Sequence, residues 1–94
     1  KRASTDGRAS PQERLYANVV AEVMAEIIRA RSIHGPMHSA HEGYAVILEE
    51  LDELWEEVKG HRSPENLAAM RSEAFQVAAM VIAFVVEVCD AQAP

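Results

Sequence analysis

Two short stretches hold the groups best suited to chemistry: Glu49-Glu50-Leu51-Asp52-Glu53 and Glu73-Ala74-Phe75-Gln76. The second leads directly into an apolar run from Val77 to Val86. A carboxylate set beside that much hydrocarbon costs several kcal/mol unless a cation or a hydrogen-bond network compensates it. At about 100° per residue, Glu50, Glu53 and Glu57 fall on one flank of a helix, with Val46 among them. On the next helix Glu73, Gln76, Met80 and Glu87 share a stripe. If the two helices pack antiparallel across the short 60–63 connection, Glu50 and Glu53 approach Glu73 and Gln76. Three carboxylates and an amide oxygen then converge from two helices. Oxygen-only ligation of this kind suits Mg²⁺, with Mn²⁺ as an alternative, and leaves positions for water and substrate phosphates. The plainer alternative for the first stretch is a solvated acidic face.

The elements that must position these groups are punctuated three times. Ser10-Pro11-Gln12-Glu13 offers an N-cap, a proline at the first helical position and a capping-box acid. Ser39-Ala40-His41-Glu42 is a second box, and Ser63-Pro64-Glu65-Asn66 a third N-cap with Asn in place of the acid. Gly35-Pro36 and Gly60 are stop signals. Helices are predicted over 11–33, 40–59 and 64–90, with no strand and no internal repeat. The first helix sets Leu15, Val19, Val23 and Ile27 beside Tyr16, Val20, Met24 and Ile28, a double stripe expected to face the core. The second is expected to bury Tyr44, Ile47, Leu48, Leu51, Leu54, Trp55 and Val58. Between Ala74 and Cys89 the third is apolar on every side except at Gln76 and Glu87. A helix of that kind needs covering all round, and a domain this small buries only around 60% of its surface. The fold class expected is all-α, a three-helix chain that forms an oligomeric bundle, either a dimer or a dimer of dimers.

Composition sets the outer bounds. The 94 residues carry 15 acids against 9 bases, a net charge of −6. A nucleic-acid polymer is an improbable partner for such a surface, whereas a small phosphate-bearing ligand is compatible once metal ions neutralise the acids. Residues 1–10 read as a disordered tail without the apolar centre of a signal peptide, and 11–94 as one helical domain. The uninterrupted apolar run 77–86 is shorter than the roughly 20 residues a membrane span needs, so no membrane association is expected. The single cysteine, Cys89, excludes an internal disulfide and suits a reducing, cytoplasmic setting. As a small apolar side chain it is expected to be buried.

The two acidic stretches together resemble the signature of the MazG-type all-α nucleoside triphosphate pyrophosphatases, Glu-Glu-x-x-Glu on one helix and Glu-x-x-Asp on the next. Glu49-Glu50-Leu51-Asp52-Glu53 matches the first half, and Glu73-Ala74-Phe75-Gln76 matches the second except at its last position. The lead-in His41 to Leu48 and the lead-out Gln76 to Met80 are similar as well, so the resemblance covers about residues 22–90. It implies Mg²⁺-dependent hydrolysis of a nucleoside triphosphate to the monophosphate and pyrophosphate, in a homodimer or homotetramer. Carried over by position, Glu50, Glu53 and Glu73 are metal ligands, and Glu49 is a ligand or the carboxylate that orients and deprotonates water. Gln76 stands where the family has aspartate; its amide oxygen can ligate but brings no charge and no basicity.

The resemblance also lays the segment containing His34, His38 and His41 over the nucleobase; the plainer alternative is a set of polar loop residues, with His41 near a helix N-terminus. A zinc site there is disfavoured, because Gly35-Pro36 breaks the helical spacing of the histidines. For the triphosphate, Lys59, Arg62 and Arg71 gather around the second interhelical turn as phosphate contacts or as plain surface. Glu87-Val88-Cys89-Asp90 also spells Glu-x-x-Asp, but it starts about 21 Å along the helix from Glu73 and reads as chance or as a helix-end feature. A non-catalytic helical dimerisation module is the second functional reading, with Gln76 as its support. A di-iron bundle is the third, weakened by the lack of any Glu-x-x-His pair.

Overall fold

The computed structural model describes residues 9–92. The polypeptide forms α1 (Pro11–Ile33), α2 (Ala40–Val58) and α3 (Pro64–Phe84), and α3 continues into a π-helical segment, Val85–Asp90. No strand occurs among the described residues. Of the expected tail, residues 1–8 lie outside the described part, while Ala9 and Ser10 already belong to the first cap: Ala9 O accepts from Arg14 at 2.7 Å.

Local chemistry accounts for each helix start. Ser10 Oγ accepts from the Glu13 amide at 3.1 Å, and the Ser10 amide donates to Glu13 Oε1 at 2.8 Å, a reciprocal capping box. At α2 only half of the predicted box forms. Ser39 Oγ accepts from the Glu42 amide, but the Glu42 carboxylate reaches one residue further back and takes the His38 amide at 2.6 Å. At α3, Ser63 Oγ accepts from the Asn66 amide, which leaves the Asn66 side chain free to donate to Glu57 O at 2.9 Å and to accept from Arg62 at 2.6 Å. Arg62 also donates to Val58 O and Gly60 O. It thus satisfies carbonyls left over at the end of α2 and clasps the α2–α3 turn.

Side-chain partners fix the register. Asn66 meets Glu57, Glu73 meets Glu50 and Glu53, and Phe84 meets Gly43, so α2 and α3 run antiparallel. Arg71 meets Glu22, Gln76 meets Glu26, and Met80 and Glu87 meet Arg31, so α1 runs in the same direction as α3. The central element is α3, on which both other helices pack.

The core is thin. Val23, Ala30, Met37, Ala79, Met80, Ala83 and Val88 are buried, flanked by half-buried Ile27, Val46, Ile47, Phe75, Ala78 and Phe84. The radius of gyration is 16.0 Å, against about 12 Å for a compact domain of this length. Of the double stripe on α1, only Val23 is buried and Ile27 half-buried; Leu15, Tyr16, Val19, Val20, Met24 and Ile28 are exposed. On α2, Ile47 and Leu54 are half-buried, while Tyr44, Leu48, Leu51, Val58 and Trp55, expected in the core, are exposed, Trp55 at 55%. The reason is geometric: each outer helix turns one side to α3, and its apolar surface is wider than α3 can cover. Cys89 is also exposed, although the adjacent Val88 is buried. The unbroken helical stretch Pro64–Asp90 is long and apolar enough, by length and composition, to cross a membrane, which the shorter run 77–86 did not suggest. The core helix of a water-soluble bundle has the same composition, and this one carries Glu73, Gln76 and Glu87 toward the neighbouring helices.

Gly43 is needed for close approach. A Cβ there would stand 2.5 Å from Phe84 Cδ1 and 3.1 Å from Met37 Sδ. Gly43→Ala is predicted to lower stability by about 1–3 kcal/mol through overpacking, despite the better helix propensity of alanine, and thermal denaturation would measure the loss.

Candidate metal centre

The antiparallel pairing of α2 and α3 brings Glu50, Glu53 and Glu73 together, with one oxygen of each within 4.8 Å of the others. Glu50 and Glu53 sit one helical turn apart and project to the same flank, while Glu73 enters from the middle of α3. Glu50 and Glu73 are half-buried and Glu53 is exposed. Among the described residues none of the three has a basic partner, whereas Glu22, Glu26, Glu56 and Glu87 each pair with an arginine or lysine.

The electrostatic consequence is direct. Burial first, and then the charges of Glu53, Glu73 and Glu49, raise the Glu50 carboxyl above its ordinary range. Burial first, and then Glu53, raise Glu73. Glu73 Oε1 is buried with no hydrogen-bond partner. The neighbouring Glu53 offers no donor when both carboxylates are ionised.

The donor set fits a hard divalent cation. It consists of carboxylate oxygens only, the ligand type that Mg²⁺ and Mn²⁺ take. Gln76 is held elsewhere, since its Nε2 donates to Glu26 Oε2 on α1. Glu26 also accepts from Arg29 Nε at 3.0 Å, and Arg29 is the main cause of its lowered pKa. The amide at position 76 thus stabilises a neighbouring carboxylate that an aspartate there would repel.

A cavity of about 520 Å³ adjoins the cluster and shares Glu50 with it. Glu49, Glu42 and Gln76 line it from α2 and α3; His34 and His38 line it from the α1–α2 connection. Its basic lining is Arg29 and Arg31, neither of which the sequence singled out. The three predicted phosphate contacts lie apart from the cavity lining. Lys59 pairs with Glu56 at 3.0 Å and stands over the Trp55 ring. Arg62 clasps the α2–α3 turn. Arg71 pairs with Glu22 through two bonds of 3.1 and 2.8 Å and lies over the Phe75 ring. A usable signal existed for one of them: Glu22, Glu26 and Arg29 recur at helical spacing and form a polar stripe on α1, whereas Arg31 lies off it.

No family model, curated protein or solved structure matches this chain.

The pKa shifts predict a pH dependence in two windows. Glu50 and Glu73, with raised folded-state values, contribute stability that is complete below the ordinary carboxylate pKa and is lost as pH rises through the raised values. Glu22 and Glu26, with lowered values, contribute stability present above the ordinary pKa and lost as pH falls. Metal-free protein should therefore lose thermal stability as pH rises from the carboxylate range toward neutrality. Mg²⁺ at a hundredfold excess over its Kd should restore about 2.7 kcal/mol. Melting curves of Glu73→Gln should be flatter across that upper window and insensitive to Mg²⁺.

Proposed function

We propose that this chain is a Mg²⁺-dependent nucleoside triphosphate pyrophosphohydrolase, with Mn²⁺ as an alternative cation, of the MazG-like kind that the acidic signature resembles. The observation that carries the reading is the convergence of Glu50, Glu53 and Glu73, without a basic partner among the described residues, at the edge of a nucleotide-sized cavity. Glu50, Glu53 and Glu73 hold the cation. When bound, it neutralises phosphate oxygens and lowers the pKa of a coordinated water. Glu49, exposed and on the cavity lining beside Glu50, orients the attacking water and accepts its proton on a carboxylate oxygen. Water adds across the α–β phosphoanhydride bond; that bond breaks, and the products are the nucleoside monophosphate and pyrophosphate. His34 and His38 face the nucleoside.

The protein works as a homodimer or a dimer of dimers in the cytoplasm. Support for the assembly comes from the apolar surface left uncovered on α1, on α2 and along Val81, Ile82, Val85 and Val86 of the last helix. A second copy of the chain covers that surface and completes the bundle. The reading of a helical module without chemistry is favoured by one observation, the commitment of Gln76 to Glu26 in place of the cluster.

Pyrophosphate release from a panel of canonical and modified nucleoside triphosphates, with Mg²⁺ or Mn²⁺, separates the two. The enzyme reading predicts metal-dependent release that falls by at least about 10²-fold in Glu53→Gln, in line with losing a charged ligand from a catalytic metal site. Release from none of the panel by folded, oligomeric protein would leave the module as the reading.

A further inference from the structure

The segment that walls the cavity, residues 34–38, is held from three directions. Arg31, at the end of α1, donates through Nη1 to Gly35 O at 3.0 Å. Glu42, in the first turn of α2, accepts from the His38 amide. Glu87, in the π-helical segment, accepts through a single oxygen, Oε1, from the Met37 amide at 2.9 Å and from Arg31 Nη1 at 3.1 Å. Gln92 adds a longer contact of 3.4 Å to His38 O. Between these bonds the Met37 side chain is a buried peg, set against Gly43.

The Arg31–Glu87 pair is well enclosed, with side chains 21% and 17% exposed. Arg31 Nη2 lies 3.7 Å from Met80 Sδ, so the guanidinium is flanked by the core. An ion pair in such a place holds strongly to its geometry, because removing either partner leaves the other desolvated and uncompensated. Glu87 stands within the six residues where α3 abandons α-helical winding, a departure that recurs at functional sites. Neither the acidic cluster nor its cation uses it.

We propose that Glu87 is a positioning residue for the cavity: through Arg31 and the Met37 amide it fixes residues 34–38 as a preset wall, so that His34 and His38 meet the nucleoside in one arrangement. This rests on the reading that the cavity takes the nucleotide. Binding then avoids the cost of ordering a loop, and the wall is a built-in part of the site, not a lid that closes over it.

The test pairs amide hydrogen exchange with steady-state kinetics on Glu87→Ala and Glu87→Gln, the latter keeping the shape and an acceptor oxygen while removing the charge. In Glu87→Ala the Met37 amide should exchange at least about tenfold faster, as follows from losing a charge-assisted acceptor. KM for the nucleotide should rise by a similar factor, with kcat changing less than KM, and Mn²⁺ affinity at the carboxylate cluster should hold. Glu87→Gln should fall between wild type and Glu87→Ala, and it carries the test alone if the alanine variant does not fold. Unchanged Met37 exchange, or a fall in kcat at constant KM, would overturn the proposal. If wild-type protein hydrolyses no nucleoside triphosphate, the functional reading fails, and exchange at Met37 still decides whether Glu87 anchors the wall.

Discussion

Repulsion among Glu50, Glu53 and Glu73 is the constraint around which the other features arrange themselves. Two of the three are raised in pKa chiefly by burial and then by their neighbours, and the buried Glu73 Oε1 has no donor. Folding forces them together because the apolar surface of α3 has to be covered, and covering it with antiparallel α2 sets positions 50 and 53 opposite 73. The Arg62–Asn66 clasp at the intervening turn fixes that register. Elsewhere the acids are compensated locally: Glu22 by Arg71, Glu26 by Arg29 and Gln76, Glu87 by Arg31. The contrast separates ordinary structural ion pairs from a cluster of acids that has no basic partner among the described residues.

A second constraint follows from size. One chain cannot cover both sides of α3 and the wide apolar faces of α1 and α2, and among the described residues no large side chain is fully buried. The polar pairs on the α1–α3 side consequently do much of the positioning within a single chain, while hydrophobic burial is left incomplete. Association through the exposed faces would supply the missing burial without disturbing the acidic cluster, since the two lie on different sides of α2.

The helices and their ends were legible in the sequence because serine caps, prolines and glycines act locally. The convergence of Glu50, Glu53 and Glu73 was legible because it needs only helical periodicity and one antiparallel hairpin. What the sequence did not disclose depends on the orientation of long side chains and on how far three helices can cover one another. Gln76 turned to Glu26, and Arg71 to Glu22, because α1 runs alongside α3; periodicity within α3 carries no information about that. Trp55 was expected to be buried from its place on the apolar face of α2 and Cys89 from its apolar side chain, but burial depends on what lies opposite, and both are exposed in the single chain. Glu87 looked like an accident of a repeated Glu-x-x-Asp, yet its partners Arg31 and Met37 lie 56 and 50 positions away in the chain.

The central claim is that Glu50, Glu53 and Glu73 together bind a divalent cation in place of a shared proton. Calorimetric titration of Mn²⁺ into the protein near neutral pH, repeated in buffers of different ionisation heat, measures binding and proton release together. The account predicts saturable binding accompanied by proton release, with both abolished in Glu73→Gln. Binding that persists unchanged in Glu73→Gln, or no binding by the wild-type protein, would contradict it.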